Sequence, residues 1–415
     1  MIDLALAYLA LAFLALFYNG VILFDGPVKI VPYDVVFILG AFLFAPKVLL
    51  DKRAVITREL RGGMGLSMIL LTWVLLQAFR SPDLGRAVTL VGILIRDIGT
   101  MVLVGMGMSQ WQVGRQRLSK LLFSVAAIAT AIALLVYVWT ISDPAKVSAN
   151  PRPGLIYRAG EGFFPHLQGF TNNPIYLAVL ILIAIASGLV SHPATIVGRV
   201  WRWAGLGVLF LGMIMTFSRG ALITMVLAAF MVVVIVGAVS KSARSISKRL
   251  VGGIALGGLI GVPVLGMIEL PGQDVSVLGR IVFRFTEARW ASRADNYWWS
   301  LLPDVYERPV LGHGLRAAEL KLFGQAVENS YLDLVYDQGL VGLMLWSALI
   351  CYIYSVAMRQ ARNDGNGVLF VYMWSIVVLS MAYVSMHYDP ITWIIAGWIL
   401  SGVQRSDGHK RTPSA

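Results

Sequence analysis

The chain has 415 residues, 58% of them hydrophobic and 13% charged, with a formal net charge of +12 and a mean hydropathy of +0.76. A soluble domain carries about a quarter charged residues, so this composition excludes one and describes a polytopic helical membrane protein. It also excludes a nucleic-acid-binding domain, because the positive charge falls in short loops and not on a basic soluble surface.

The first run, "LALAYLALAFLALFYNGVILF", has no basic n-region, since Asp3 is its only early charge, and it is too long for the apolar core of a signal peptide. It reads as a first transmembrane helix retained in the protein. Runs of bilayer length, roughly 17 to 25 residues, recur from there to the C-terminus. About twelve spans are expected, over residues 4–24, 33–50, 64–79, 87–108, 119–141, 174–191, 201–218, 220–239, 250–268, 329–356, 368–387 and 391–404. The fold class is therefore all-α, a single membrane domain over 1–415 with no internal repeat. Short helices are expected in the long loop between the ninth and tenth spans.

Twelve spans place both termini on one side. That side holds Lys47, Lys52, Arg53, Arg58, Arg61, Arg115, Arg117, Lys120, Arg199, Arg202, Lys241, Arg244, Lys248, Arg249, Arg359 and Arg362, with Arg405, Lys410 and Arg411 in the tail, which makes it cytoplasmic by the positive-inside rule. The opposite short loops, "DGPVKIVP", "RSPDLGRA" and "HYDP", are poor in Lys and Arg by comparison. The basic loops meet the anionic inner leaflet of the lipid bilayer. Two long segments, 141–173 and 269–328, fall outside. The single cysteine, Cys351, lies in an apolar run; it excludes an internal disulfide and a thiolate metal site and is expected as a small buried side chain. The five histidines are scattered, and no zinc-type spacing, phosphate-binding glycine loop or dinucleotide fingerprint occurs, so no metal site and no cofactor is expected.

The second outer segment contains "GRIVFRFTEARWASRADNYWW", with Arg280, Arg284, Arg289 and Arg293. On a helix Arg280 and Arg284 share one face and Arg289 and Arg293 another. Guanidinium groups suit phosphate because they are planar, permanently charged and bidentate, so one reading is a site for a lipid-linked pyrophosphate. The other is a set of surface ion pairs with Glu269, Asp274, Glu287 and Asp295, or contact with lipid headgroups. Trp290, Tyr297, Trp298 and Trp299 fit an interfacial aromatic belt or a platform for sugar.

Three further stretches reach the same side. "GFTNNPIYLAVLI" opens the sixth span with Asn as cap and Pro in the first turn. In "TFSRGALITMVLA" Gly220 beside Arg219 permits a tight turn. "RPVLGHGLRAAELKLFGQAVENSYLDLVYDQGLVGL" opens the tenth span and brings His313, Glu328, Asn329 and Tyr331. Within the spans Arg96 and Asp97 stand out, since an intramembrane charge is a suspect for function. Adjacent residues diverge by about 100° on a helix, so each is expected to need another partner, in either a structural pair or a substrate contact. Arg158, Glu161 and His166 precede the sixth span and line an acceptor groove or fold the loop.

Taken together, the Asn-Pro start of span six, the Ser-Arg-Gly turn, the Arg293-to-Trp298 segment, "PVLGHG" and "NSYLDLVYDQGLVGL" resemble the O-antigen polymerase/ligase family of bacterial inner-membrane glycosyltransferases, over about residues 158–345. The resemblance implies transfer of an undecaprenyl-pyrophosphate-linked glycan to an acceptor hydroxyl on the periplasmic face, without nucleotide sugar or obligatory metal. It implies that arginines neutralise the departing pyrophosphate: Arg219 and Arg293 first, then Arg158, Arg289 and Arg284. Asn329, Tyr331 and His313 join them as substrate-binding candidates. The family commonly has a histidine where this chain has Glu328, which leaves Glu328 as general base, as an arginine partner or as a helix cap. His313 and His387 are the other base candidates. Polymerisation of O-antigen or exopolysaccharide repeat units implies a chain-length-regulating copolymerase as partner; a ligase, transferring to lipid A–core or to protein, and a lipid-linked oligosaccharide transporter are the alternatives.

Overall fold

The computed structural model describes residues 2–18, 23–25, 29–50, 56–110, 115–141, 173–190, 195–231, 298–323, 329–363, 367–382 and 386–402, with isolated positions between 167 and 171, between 234 and 282, and at 327. A two-residue antiparallel ladder pairs Phe24 with Ile30 and Asp25 with Lys29. All other elements among the described residues are helices: α1 (Ile2–Phe17), α2 (Pro32–Leu50), α3 (Arg58–Ala78), α4 (Leu84–Gln110), α5 (Arg115–Ile141), α6 (Pro174–Val190), α7 (Ile196–Met215), α8 (Arg219–Met231), α9 (Trp299–Glu307), α10 (Ala317–Lys321), α11 (Ser330–Asn363), α12 (Gly367–Ser380) and α13 (Pro390–Leu400).

Among the described residues, five helical stretches are long and apolar enough to cross a membrane: Arg58–Ala78, Leu84–Met108, Arg117–Thr140, Ile196–Met215 and Ser330–Arg362. Their outer faces expose large apolar side chains, among them Leu76, Leu135 and Val197, and α2 likewise exposes Phe42. A water-facing surface tolerates no such continuous apolar area, so the chain is an all-α membrane protein. Cys351 departs from expectation for the same reason. It is exposed on α11, because a small apolar side chain on a helix in lipid has no need of a protein core.

The described helices pack side by side into a bundle. α4 packs on α3, α2 and α13, α11 on α3 and α12, and α5 on α1, α6 and α7. The closest crossing is α4 with α13. A Cβ on Gly397 would lie 2.4 Å from the carbonyl oxygen of Met101, so only glycine lets the two backbones approach to this distance, as small residues do in membrane bundles. Thr57 caps α3 through Leu60 N–H at 3.1 Å and donates to Leu400 O at 2.8 Å, fixing the far end of α13. Of the expected span 250–268 only the isolated positions 252, 266 and 267 are described.

α12 and α13 are short, 14 and 11 residues, or about 21 and 17 Å of helix. Neither covers the ~30 Å of a hydrocarbon core. The turn 386–389 that leads into α13 therefore lies inside the bundle and not at its end. Asp389 comes within electrostatic reach of Arg96 and Asp97, and Arg96 lies twelve residues into α4, about 18 Å from the start of that helix. Non-helical backbone at such depth is tolerated only where protein or a wet cavity satisfies it.

Candidate functional site

The end of the bundle that carries the α3–α4, α7–α8 and α10–α11 connections is also where the conspicuous motifs collect. "PVLGHG" and "YDQGLVG" form one interlocked unit. α11 breaks at Gly339, whose φ of 69° and ψ of −172° are open in practice only to glycine. At the break, Leu340 N–H donates to Pro309 O at 2.8 Å and Val341 N–H to Val310 O at 3.3 Å. Just before it, His313 N–H donates to Tyr336 O and Gly314 N–H to Asp337 O, both at 2.9 Å. The Asp337 carboxylate then receives Arg316 N–H at 2.5 Å and Ala318 N–H at 2.9 Å, which caps α10. From the other flank Arg80 donates to Leu311 O and Gly312 O, and Ser81 Oγ to Leu315 O. A small second core of Leu301, Ala318, Leu322, Val327 and Tyr336 lies beneath.

His313 is held in this unit. Its Nε2 lies 2.8 Å from Asp304 O, and its ring stacks on Tyr336 with centroids 4.7 Å apart. Asp304 also receives Tyr336 OH at 2.8 Å and lies 2.9 Å from Lys321 Nζ. The hydrogen bonds from Lys321 and then Tyr336 hold the Asp304 carboxyl below the usual carboxylate range. Arg316 pairs with Glu319 at 2.6 Å, and Glu319 lies 3.7 Å from Arg86.

The start of α11 is built from Asn329, whose Oδ1 accepts Tyr331 N–H at 3.1 Å and Leu332 N–H at 3.2 Å. Asn329 is thus the N-cap of this helix. Its neighbours tie the helix to the recessed turn. Ser330 N–H donates to Met381 O, Met386 N–H to Ser330 Oγ, and Tyr331 OH to Val378 O at 2.8 Å. His387 is fully buried there, its Nε2 3.5 Å from Asp333 Oδ2 and its ring against Trp346 and Tyr388. Asn173 caps α6 through Ile175 N–H at 2.8 Å, with Pro174 as the first helical residue, as the sequence leads one to expect. The Ser-Arg-Gly turn differs in detail. The left-handed residue is Phe217, with φ of 49°, while Arg219 and Gly220 already belong to α8; the chain reverses before the glycine is reached.

A second polar cluster lies deeper. Arg96 donates from Nε to Asp97 Oδ1 at 2.8 Å and pairs through NH1 with Asp34 Oδ1 at 2.6 Å. The long arginine side chain curls back to its own neighbour, so the divergence of adjacent helix positions does not separate the two charges. Asp34 Oδ2 accepts Val31 N–H at 2.9 Å. Tyr33 OH bonds Thr100 Oγ1 at 2.9 Å, and the Arg96 guanidinium lies 5.3 Å from the Tyr33 ring centroid. On the facing side Asp389, the N-cap of α13, accepts Tyr176 OH at 3.1 Å and Ile391 N–H at 3.0 Å.

Of the residues singled out in the sequence, Arg219, His313, Asn329 and Tyr331 lie in connections or helix starts at the motif-bearing end. Arg158, Glu161, His166, Arg280, Arg284, Arg289, Arg293 and Glu328 lie outside the described residues. Sequence reasoning missed Arg316, Asp333, Asp337 and Asp389. The four-residue spacing of Asp333 and Asp337, which sets both on one face of α11, was a usable signal. The chain matches no family model and has no significant match among curated proteins.

Proposed function

We propose that this protein is a bacterial inner-membrane glycosyltransferase of about twelve spans, with both termini cytoplasmic. In this reading it polymerises undecaprenyl-pyrophosphate-linked repeat units of O-antigen or exopolysaccharide at the periplasmic face. The supporting observation is that "NNP", "SRG", "PVLGHG" and "NSYLDL", far apart in sequence, all belong to connections or helix starts at one end of the bundle. In the reaction an acceptor hydroxyl oxygen attacks the anomeric carbon. The bond from that carbon to pyrophosphate breaks, the hydroxyl proton passes to Glu328, and undecaprenyl pyrophosphate leaves. Arg219 and Arg293 stabilise the charge that develops on the leaving group, with Arg158, Arg284 and Arg289 binding the same pyrophosphate. Asn329, Tyr331 and His313 shape the substrate-binding surface, their side chains already engaged in the cap and the interlocked unit.

Turnover in nanodiscs tests this. A lipid-linked repeat unit is added with EDTA present, and the products are resolved on a gel. A ladder supports a metal-independent polymerase. Transfer that waits for a lipid A–core acceptor makes the enzyme a ligase. A second reading, transport of the lipid-linked oligosaccharide, is favoured by one observation: ionisable side chains and a helix end meet deep in the bundle around Arg96, as midplane sites of transporters do. Translocation of glycan with no new glycosidic bond establishes it.

A further inference from the structure

The deep cluster holds more acid than base. Asp34 and Asp97 pair with one guanidinium, that of Arg96, and Asp389 at the start of α13 lies within electrostatic reach of both Arg96 and Asp97. Among the described residues, the phenols of Tyr33 on α2, Tyr176 on α6 and, behind Tyr33, Tyr8 on α1 face the cluster, and the turn that carries Asp389 also holds Tyr388 and His387, the latter beside Asp333. α3 carries its charges only in its first turn, at Arg58, Glu59 and Arg61. Arg96 therefore compensates at most one carboxylate, and the surplus negative charge has no other described cation.

The donors are distributed unequally. Asp34 has Arg96 on one oxygen and Val31 N–H on the other. Asp389 has Tyr176 OH and Ile391 N–H. Asp97 is fully buried, takes Arg96 on Oδ1, and has no donor at all on Oδ2 among the described residues. An ionised carboxylate with a bare oxygen in a dry interior, facing two like charges, is strongly unfavourable. Binding one hydrogen ion halves the surplus charge and gives the bare oxygen a bond.

We propose that Asp97 and Asp389 form a proton-binding site, with one exchangeable proton held between α4 and the cap of α13. Binding forms an O–H bond on a carboxylate oxygen, and release breaks that bond and passes the proton to water on the side of Asp389, the less buried of the two carboxyls. The site is independent of the glycosyltransferase reading. Its consequence is mechanical, because the recessed turn 386–389 also carries His387 and anchors the start of α11 through Ser330. Proton loss sets two buried carboxylates in opposition and loosens that turn.

The test is infrared spectroscopy of the full-length protein in nanodiscs at neutral pH. The carbonyl stretch of a protonated carboxyl, identified by its shift in heavy water, is compared between wild type, Asp97→Asn and Asp389→Asn, each confirmed as folded by size-exclusion profile. Asn at 389 retains an acceptor for Ile391 N–H, so the cap survives that change. The expected result is a band in wild type that is lost in both variants. A band unchanged in both, or none in wild type, overturns the proposal. So does a sodium-dependent rise in thermal stability that Asp97→Asn abolishes, since the cluster then holds a metal cation in place of the proton.

Discussion

Replacing Gly339 by alanine tests whether the break in α11 is what holds the "PVLGHG" segment in place. The new Cβ would lie 2.2 Å from Val310 O and 2.6 Å from Gly312 N. Ordinary van der Waals contact needs more than an ångström beyond the first of these, so the 309–312 backbone must move. That displaces the bonds from Leu340 N–H to Pro309 O and from Val341 N–H to Val310 O, each worth roughly 1 kcal/mol. The backbone at Gly339 adds about 1–3 kcal/mol of strain for any residue with a Cβ. The sum is about 3–5 kcal/mol, charged to the local unit and not to the whole bundle, because α3 and α12 still hold the long arm of α11. Amide hydrogen exchange of the nanodisc protein reads it directly: residues 308–320 are expected to lose protection by at least a hundredfold, while α4 and α5 are unchanged. Unchanged protection over 308–320 in Gly339→Ala refutes the interlock.

Arg96→Leu leaves Asp34 and Asp97 without their shared cation, and breaking a buried pair in this way costs about 3–5 kcal/mol; a thermal-unfolding midpoint equal to wild type contradicts the pairing. Asp304 supplies a pH dependence with a defined sign. Its carboxyl is held below the ordinary value by Lys321 and Tyr336, so its contribution is present above the unfolded pKa of about 3.9 and is lost as pH falls through the lowered folded value. Acid is therefore expected to raise hydrogen exchange over 299–323 in wild type, with no such acid step attributable to position 304 in Asp304→Asn. For function, Arg293→Ala at normal protein level is expected to abolish high-molecular-weight glycan in cells that depend on this protein; wild-type polymer length in that variant counts against the glycosyltransferase proposal.

The helical membrane class was legible in the sequence, because a chain in lipid must satisfy its backbone within helices and clothe them in apolar side chains. The starts of α6 and α11 were legible too, since Asn173–Pro174 and Asn329 are local caps that need only their own next few residues. Local signals fail where partners are distant in sequence. Nothing near Gly339 says that the break receives Pro309 and Val310, and nothing near Asp97 says that Asp34 shares its arginine or that Asp389 lies within electrostatic reach. The same holds for the depth of the 386–389 turn. The run over 368–387 looks like a full span, but α12 ends at Ser380, where Met381 meets the start of α11. Hydropathy records how much apolar length a segment has; only packing against α4 and α11 determines where along the bundle that length ends.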